Sequence, residues 1–282
     1  MSAGAASDRE ALARLAALGR AASGDIPLAE TALLLGSLDL DRSPAAMADC
    51  RATLDSLADD LSACASGAKS LVERAEALAA VIAGRHGFTG DRETYDDLAN
   101  ANLIAVLERK RGLPVALAIL YIHAARAVGW EMDGLNFPGR FLVRLGDPDG
   151  RAVIDPFDGG VTREASSLRE LLKQSVGSLA ELAPEHFAAV EDRDILLRLQ
   201  NNIKVRLLQA DRIAEALVIL ERMQLIAPAE PMLWLEAGGY HARLGNLRAA
   251  IEAAERCGGL ASDEGLRQRA ASLLQELKGR LN

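Results

Sequence analysis

Residues 87–160 read GFTGDRETYDDLANANLIAVLERKRGLPVALAILYIHAARAVGWEMDGLNFPGRFLVRLGDPDGRAVIDPFDGG. Asn102 to Lys110 has the apolar spacing of a short helix that halts at Gly112. Pro114 suits a first helical turn, and Gly129 suits a stop. The apolar run between them predicts one buried helix over 114–128. The period then changes. Residues 131–136, 140–145 and 151–155 are short runs separated by Pro-Gly and Asp-Pro-Asp-Gly, the residues of tight turns. They predict a small antiparallel sheet on which the helix packs.

A single helix on a small sheet is also the minimal papain-like core. The segments LERKRGLPVALA, GLNFPGRFLVR and VIDPFDGG, in that order, resemble the transglutaminase-like core of the SirB-type family, whose members carry C-terminal tetratricopeptide repeats. That resemblance implies three chemical roles: a Cys at the start of the central helix, a His on the next strand and an Asp or Asn on the one after. Such a Cys draws its reactivity from the helix N-terminus, the His takes its proton, and the Asp fixes the His tautomer. Asp155 matches the Asp. The His position, in relatives written PGHFLVR, is Arg140. The helix start is Pro114, Val115 and Ala116, with no Cys, and neither Ser nor Cys occurs between Thr94 and Thr162. Arginine stays protonated and cannot serve as a base near neutral pH.

The triad positions are therefore expected to be vestigial. Arg140 and Asp155, spaced 155 − 140 = 15 residues apart, are expected to face each other across adjacent strands. They would form either a structural ion pair or the floor of a binding pocket. Glu108, Arg111 and Asn136 match positions where relatives also place polar residues, and are candidates for lining the same cleft.

Composition narrows the function classes. The chain has 282 residues, half of them apolar and 4% aromatic, with a net charge of −8. This is a mostly α composition and an acidic surface, which speaks against nucleic acid or an anionic membrane as partner. Arg109-Lys110-Arg111 reads as a solvated helix end. The run from Leu113 to Trp130 is broken by His123 and Arg126, so a core helix is expected, not a membrane span. The first twenty residues lack a basic region followed by an apolar block, so no signal peptide is expected. Three scattered cysteines, Cys50, Cys64 and Cys257, fit a reducing compartment, and a cytoplasmic location is expected. The four histidines show no metal-ligand spacing, and no glycine-rich phosphate loop is present. Neither metal nor cofactor is expected. The Asp147-Pro148-Asp149-Gly150 run reads as a hairpin turn and not as a calcium loop.

Three regions are expected: an N-terminal segment over 1–24 open to fraying, a helical region with the transglutaminase-like core over 25–183, and helical repeats over 184–282. In the second, Ser43-Pro44 and Ser167 read as helix starts. In the third, DRIAEALVILER at 211–222 matches GNLRAAIEAAER at 245–256, an offset of 245 − 211 = 34 that equals the tetratricopeptide period. Ala216 and Ala250 take the close-packing position of each second helix. Trp234 and Gly238 stand four apart on the second unit's first helix. Two repeats are too few to stand alone, so they are expected to lean on the core or on a terminal helix over 262–281.

These readings together imply a non-catalytic regulatory or scaffold protein, a pseudoenzyme that binds a protein or peptide partner of unknown identity, in the first place through the C-terminal repeats. One alternative is a peptide- or amide-recognising module that keeps the substrate cleft. Another is an enzyme using non-standard residues such as Asp155 with Glu108.

Overall fold

The computed structural model describes residues 3–39, 44–148 and 150–281. The chain folds as two compact units: one over 23–199, and one that joins 1–22 to 200–282. The first helix, α1 (Ala3–Arg20), thus belongs with the C-terminal helices. The reading of 1–24 as a segment apart missed this, because no local pattern reports a partner two hundred residues away.

The 23–199 unit begins with three helices, α2 (Leu28–Ser37), α3 (Pro44–Ala65) and α4 (Leu71–Ala79). Pro44 opens α3, while the expected Ser43 cap lies outside the described residues. α4 starts on a reciprocal cap: the Ser70 hydroxyl accepts from the Glu73 amide, and the Glu73 carboxylate accepts from the Ser70 amide. Strand β1 (Thr89–Gly90) pairs in parallel with β2 (Arg111–Gly112). Between them lies α5 (Leu103–Arg109), capped by the Asn102 side chain and closed by Lys110 in the left-handed region.

Helix α6 (Pro114–Ala127) is the buried central helix that the Pro and Gly signals predict, and Gly129 leaves it at φ 76°. It packs on β3 (Glu131–Leu135) and β4 (Leu142–Asp147). With β5 (Gly150–Asp155), β6 (Val161–Thr162) and, beyond α7 (Ala165–Val176), β7 (Ala189–Val190), these form one antiparallel sheet in the order β6-β5-β4-β3-β7. The register pairs Leu135 with Leu142 and Met132 with Leu145, so the two residues of each pair share a face. Leu135 and Leu142 pack with Phe137 against Leu168 and Leu172 of α7.

The fold is thus mostly helical with an α+β core, as expected, with local differences. The sheet has five strands, because two-residue edge strands carry no alternating signal. Arg140 is not in a strand. Gly139 at φ 73° and the hydrogen bond from the Arg140 amide to the Phe137 carbonyl close a turn just before β4. α7 starts at Ala165 behind Glu164, and the Ser167 hydroxyl bonds back to the Glu164 carbonyl instead of capping. The Asp147–Gly150 corner is a turn in which the Gly150 amide donates to the Asp147 carboxylate, with Asp149 outside the described residues.

The second unit contains α1 and the helices α8 (Asp192–Gln209, within which the division falls), α9 (Ile213–Ile226), α10 (Pro231–Arg243), α11 (Leu247–Leu260) and α12 (Glu264–Leu281). Its backbone recurs at the spacing seen in the sequence. Asp211 at φ 58° and Gly245 at φ 77° turn the chain into α9 and α11, whose first residues carry the same offset. Ala216 and Ala250 are fully buried. Gly238 is wedged where a Cβ would stand 3.0 Å from Leu273 of α12 and 3.3 Å from the Ala250 carbonyl. α12 packs on α10 and α11, and α1 packs on α9.

Candidate functional site

The site begins with Asp155, the last residue of β5, whose side chain is fully buried. One carboxylate oxygen accepts from the amides of Phe157 (3.1 Å) and Asp158 (3.3 Å), which caps the short 3-10 turn Pro156–Asp158. The other accepts from Arg140 Nη1 at 2.9 Å and from Arg163 Nε and Nη2 at 3.2 and 2.9 Å. Arg163 also binds Asp158, which takes Arg92 at 2.7 Å. Burial works against the Arg163 charge, but the hydrogen bonds and charges of Asp155 and Asp158 outweigh it and hold the guanidinium above its ordinary value.

Phe157 anchors this cluster. Its ring lies under the guanidiniums of Arg92 (5.4 Å) and Arg140 (5.5 Å), with Tyr95 edge-on at 5.8 Å. Gly90 of β1 makes the approach feasible, since a Cβ there would fall 2.5 Å from the Phe157 ring and carbonyl. On α6 the residue that feels Asp155 is Tyr121, two turns beyond Pro114. Burial first, and then the Asp155 charge, push its phenol far above the ordinary value, and its buried hydroxyl has no hydrogen-bond partner among the described residues.

Pro114, Val115 and Ala116, which stand where a nucleophile would be, are all buried in the core. Glu108 and Arg111 are exposed, and Arg111 pairs with Glu93 at 2.8 Å. Asn136 is exposed and accepts from Arg198, whose guanidinium lies 5.3 Å from the Phe141 ring. Arg140 and Asp155 are therefore in contact, while Glu108, Arg111 and Asn136 are engaged elsewhere.

A second buried carboxylate, Asp91, orders the loop in front of α5. It accepts from the Thr94 hydroxyl (2.6 Å), the amides of Thr94 (2.8 Å) and Glu93 (3.0 Å), and Arg109 (3.3 Å). The Thr94 hydroxyl bond, then the Thr94 amide, lower its pKa to about 2 against the opposing effect of burial. Cys50 and Cys257 are buried, and burial raises the Cys257 thiol. Among the described residues no group of three or more His, Cys, Asp or Glu could hold a metal ion, and no helix is long and apolar enough to cross a membrane.

Arg163, Tyr121 and Phe157 escaped the sequence reading. One signal was available for Arg163: DPFDGG places two acids beside a single expected arginine, which calls for a further cation.

A papain-like core with an Asp at the end of its third strand defines the class. A model of the transglutaminase-like superfamily matches residues 48–201, more than half of the chain, and the chain belongs to that superfamily. Its relatives carry the names UPF0162 and SirB1. A UPF0162 protein of Xylella fastidiosa (strain Temecula1) is 34% identical over 176 residues, which cover 60% of this chain and 62% of the relative. One of Vibrio cholerae is 32% identical over 159 residues, 56% of this chain and 58% of the relative. Protein SirB1 of Salmonella typhimurium is 25% identical over 173 residues, 61% of this chain and 64% of the relative. The chain spans less than two thirds of the length of these relatives, and their names assign no catalytic role. A solved structure of menin, titled as revealing its binding site for the Mixed Lineage Leukemia protein, aligns at 12% identity with a TM-score of 0.44, covering 89% of this chain and 69% of menin.

Proposed function

We propose that this chain is a non-catalytic member of its superfamily, a regulatory or scaffold protein that binds a protein or peptide partner through tetratricopeptide-like helices in its C-terminal part. The observation that carries the reading is the state of Asp155. In a working triad that carboxylate orients a histidine. Here two arginines and two backbone amides occupy it, and Arg140, which replaces the histidine, cannot accept a proton near neutral pH. The buried Pro114, Val115 and Ala116 offer no nucleophile.

The same facts speak against the other readings. An acid–base pair of Asp155 and Glu108 would join a buried, fully bonded carboxylate to an exposed one. A cleft kept for an amide substrate would need the polar groups of Arg140 and Asn136, which already bond to Asp155 and Arg198.

The test is an assay of the intact chain for incorporation of a primary amine into a glutamine-bearing protein and for peptide hydrolysis, with and without iodoacetamide. No activity is expected, and no hyper-reactive thiol. An acyl transfer abolished by the thiol reagent would end the proposal.

A further inference from the structure

In the second unit a groove of about 510 Å³ is lined by Leu235 of α10 and by Gly265, Gln268, Arg269, Ser272 and Leu273 of α12. Leu235 and Leu273 belong to the apolar cluster that also holds Cys257 and Ala270, so the floor is apolar and anchored. Two observations indicate what would cover it.

The first is charge. Arg269 is exposed on the groove wall. Among the described residues its guanidinium meets no carboxylate, and its one polar contact is the thioether of Met232 at 4.0 Å, a weak acceptor. Arg256 likewise has no carboxylate partner among the described residues and stacks over Trp234, which packs on the same cluster. Their neighbours are compensated: Arg267 pairs with Glu264, Lys278 with Glu255 and Arg280 with Glu276. In a chain with 40 acids against 32 bases, an arginine without a carboxylate partner on the wall of an apolar groove presents a local positive charge.

The second is Gly239. It follows Leu235 by one helical turn and so shares its face of α10. A glycine inside a helix weakens it. Here no left-handed φ requires one, and a Cβ would meet nothing within 4 Å, in contrast to the wedged Gly238 before it. The bare backbone at 239 leaves that face of α10 open one turn beyond the groove residue Leu235.

We propose that this groove receives a short acidic and apolar segment of a partner protein. An apolar side chain rests on Leu235 and Leu273 beside Gly239, and a neighbouring carboxylate pairs with Arg269. The proposal rests on the binding-protein reading above and names the surface and the chemistry of the partner.

The experiment screens the intact chain against a phage-displayed library of random dodecapeptides. Enriched sequences are then synthesised and titrated by fluorescence anisotropy. Enriched peptides are expected to carry Asp or Glu next to Leu, Ile, Met or Phe. Affinity should fall about tenfold or more in Arg269→Glu and in Gly239→Leu. Thermal unfolding of Gly239→Leu should be no lower than wild type, because the new side chain enters open space. A peptide with Lys in place of its acid should regain affinity for Arg269→Glu, which a purely structural role for Arg269 would not produce. Enriched peptides without acids, or ones that bind both variants as tightly as wild type, would overturn the groove while leaving the binding-protein reading intact. A library that yields no binder would also overturn the groove. Thiol-dependent acyl transfer in the assay above would instead remove the reading on which it rests.

Discussion

The carboxylate of Asp155 holds two guanidiniums and two amides at once, so its replacement should cost more than that of either arginine. Asp155→Ala strands Arg140 and leaves Arg163 with Asp158 alone; their side chains are only 24% and 17% exposed, and neither can shed its charge. The expected loss in urea unfolding is about 3–5 kcal/mol. Arg140→Ala leaves Arg163 in place and should cost about 1–2 kcal/mol. Equal losses would mean that Arg140, and not the carboxylate, organises the cluster. Asp91 makes a prediction about acid. Its pKa falls from an ordinary 3.8 to about 2 on folding. A depressed carboxylate stabilises the fold above its unfolded pKa, and that stability is lost as pH drops from about 4 toward 2. The amount is about 2 kcal/mol, and Asp91→Asn should flatten that part of the stability–pH curve. The Arg140–Asp155 contact was legible because both residues sit inside recognisable segments. Arg163 was not, because its position depends on a two-residue strand.

Elements bounded by proline and glycine were read nearly to the residue. α6 begins at Pro114 and Gly129 follows its end, since a fixed φ and a missing Cβ act locally. Where a boundary depends on tertiary pairing, as in β6, β7 and the start of α7, the local pattern was silent. The 34-residue recurrence was legible because small residues repeat where helices touch. Ala250 of α11 packs in a cluster with Ala242 of α10 and Leu277 of α12. Ala250→Leu should overpack that contact and cost roughly 1–3 kcal/mol, seen as a lower thermal midpoint. An unchanged midpoint would place Ala250 outside the helix contacts.

For the whole molecule, the feature that no sequence pattern disclosed is the membership of α1 in the C-terminal unit. Ala11 and Leu15 of α1 are buried, and the helix packs on α9 so closely that a Cβ at Gly19 would fall 1.9 Å from the Leu225 carbonyl. Removing residues 1–22 should therefore lower the hydrogen-exchange protection of α9. Unaltered protection there would show that α9 keeps its packing without α1. The pairing also imposes an order in time. A ribosome finishes α1 at Arg20 and reaches α9 only at Ile213. At about 5–20 residues per second, that is a wait of roughly 10 to 40 seconds, during which the 23–199 unit can complete itself. Throughout that interval α1 lacks the α9 surface on which it packs, so nascent chains stalled before residue 213 should be the ones that chaperones hold.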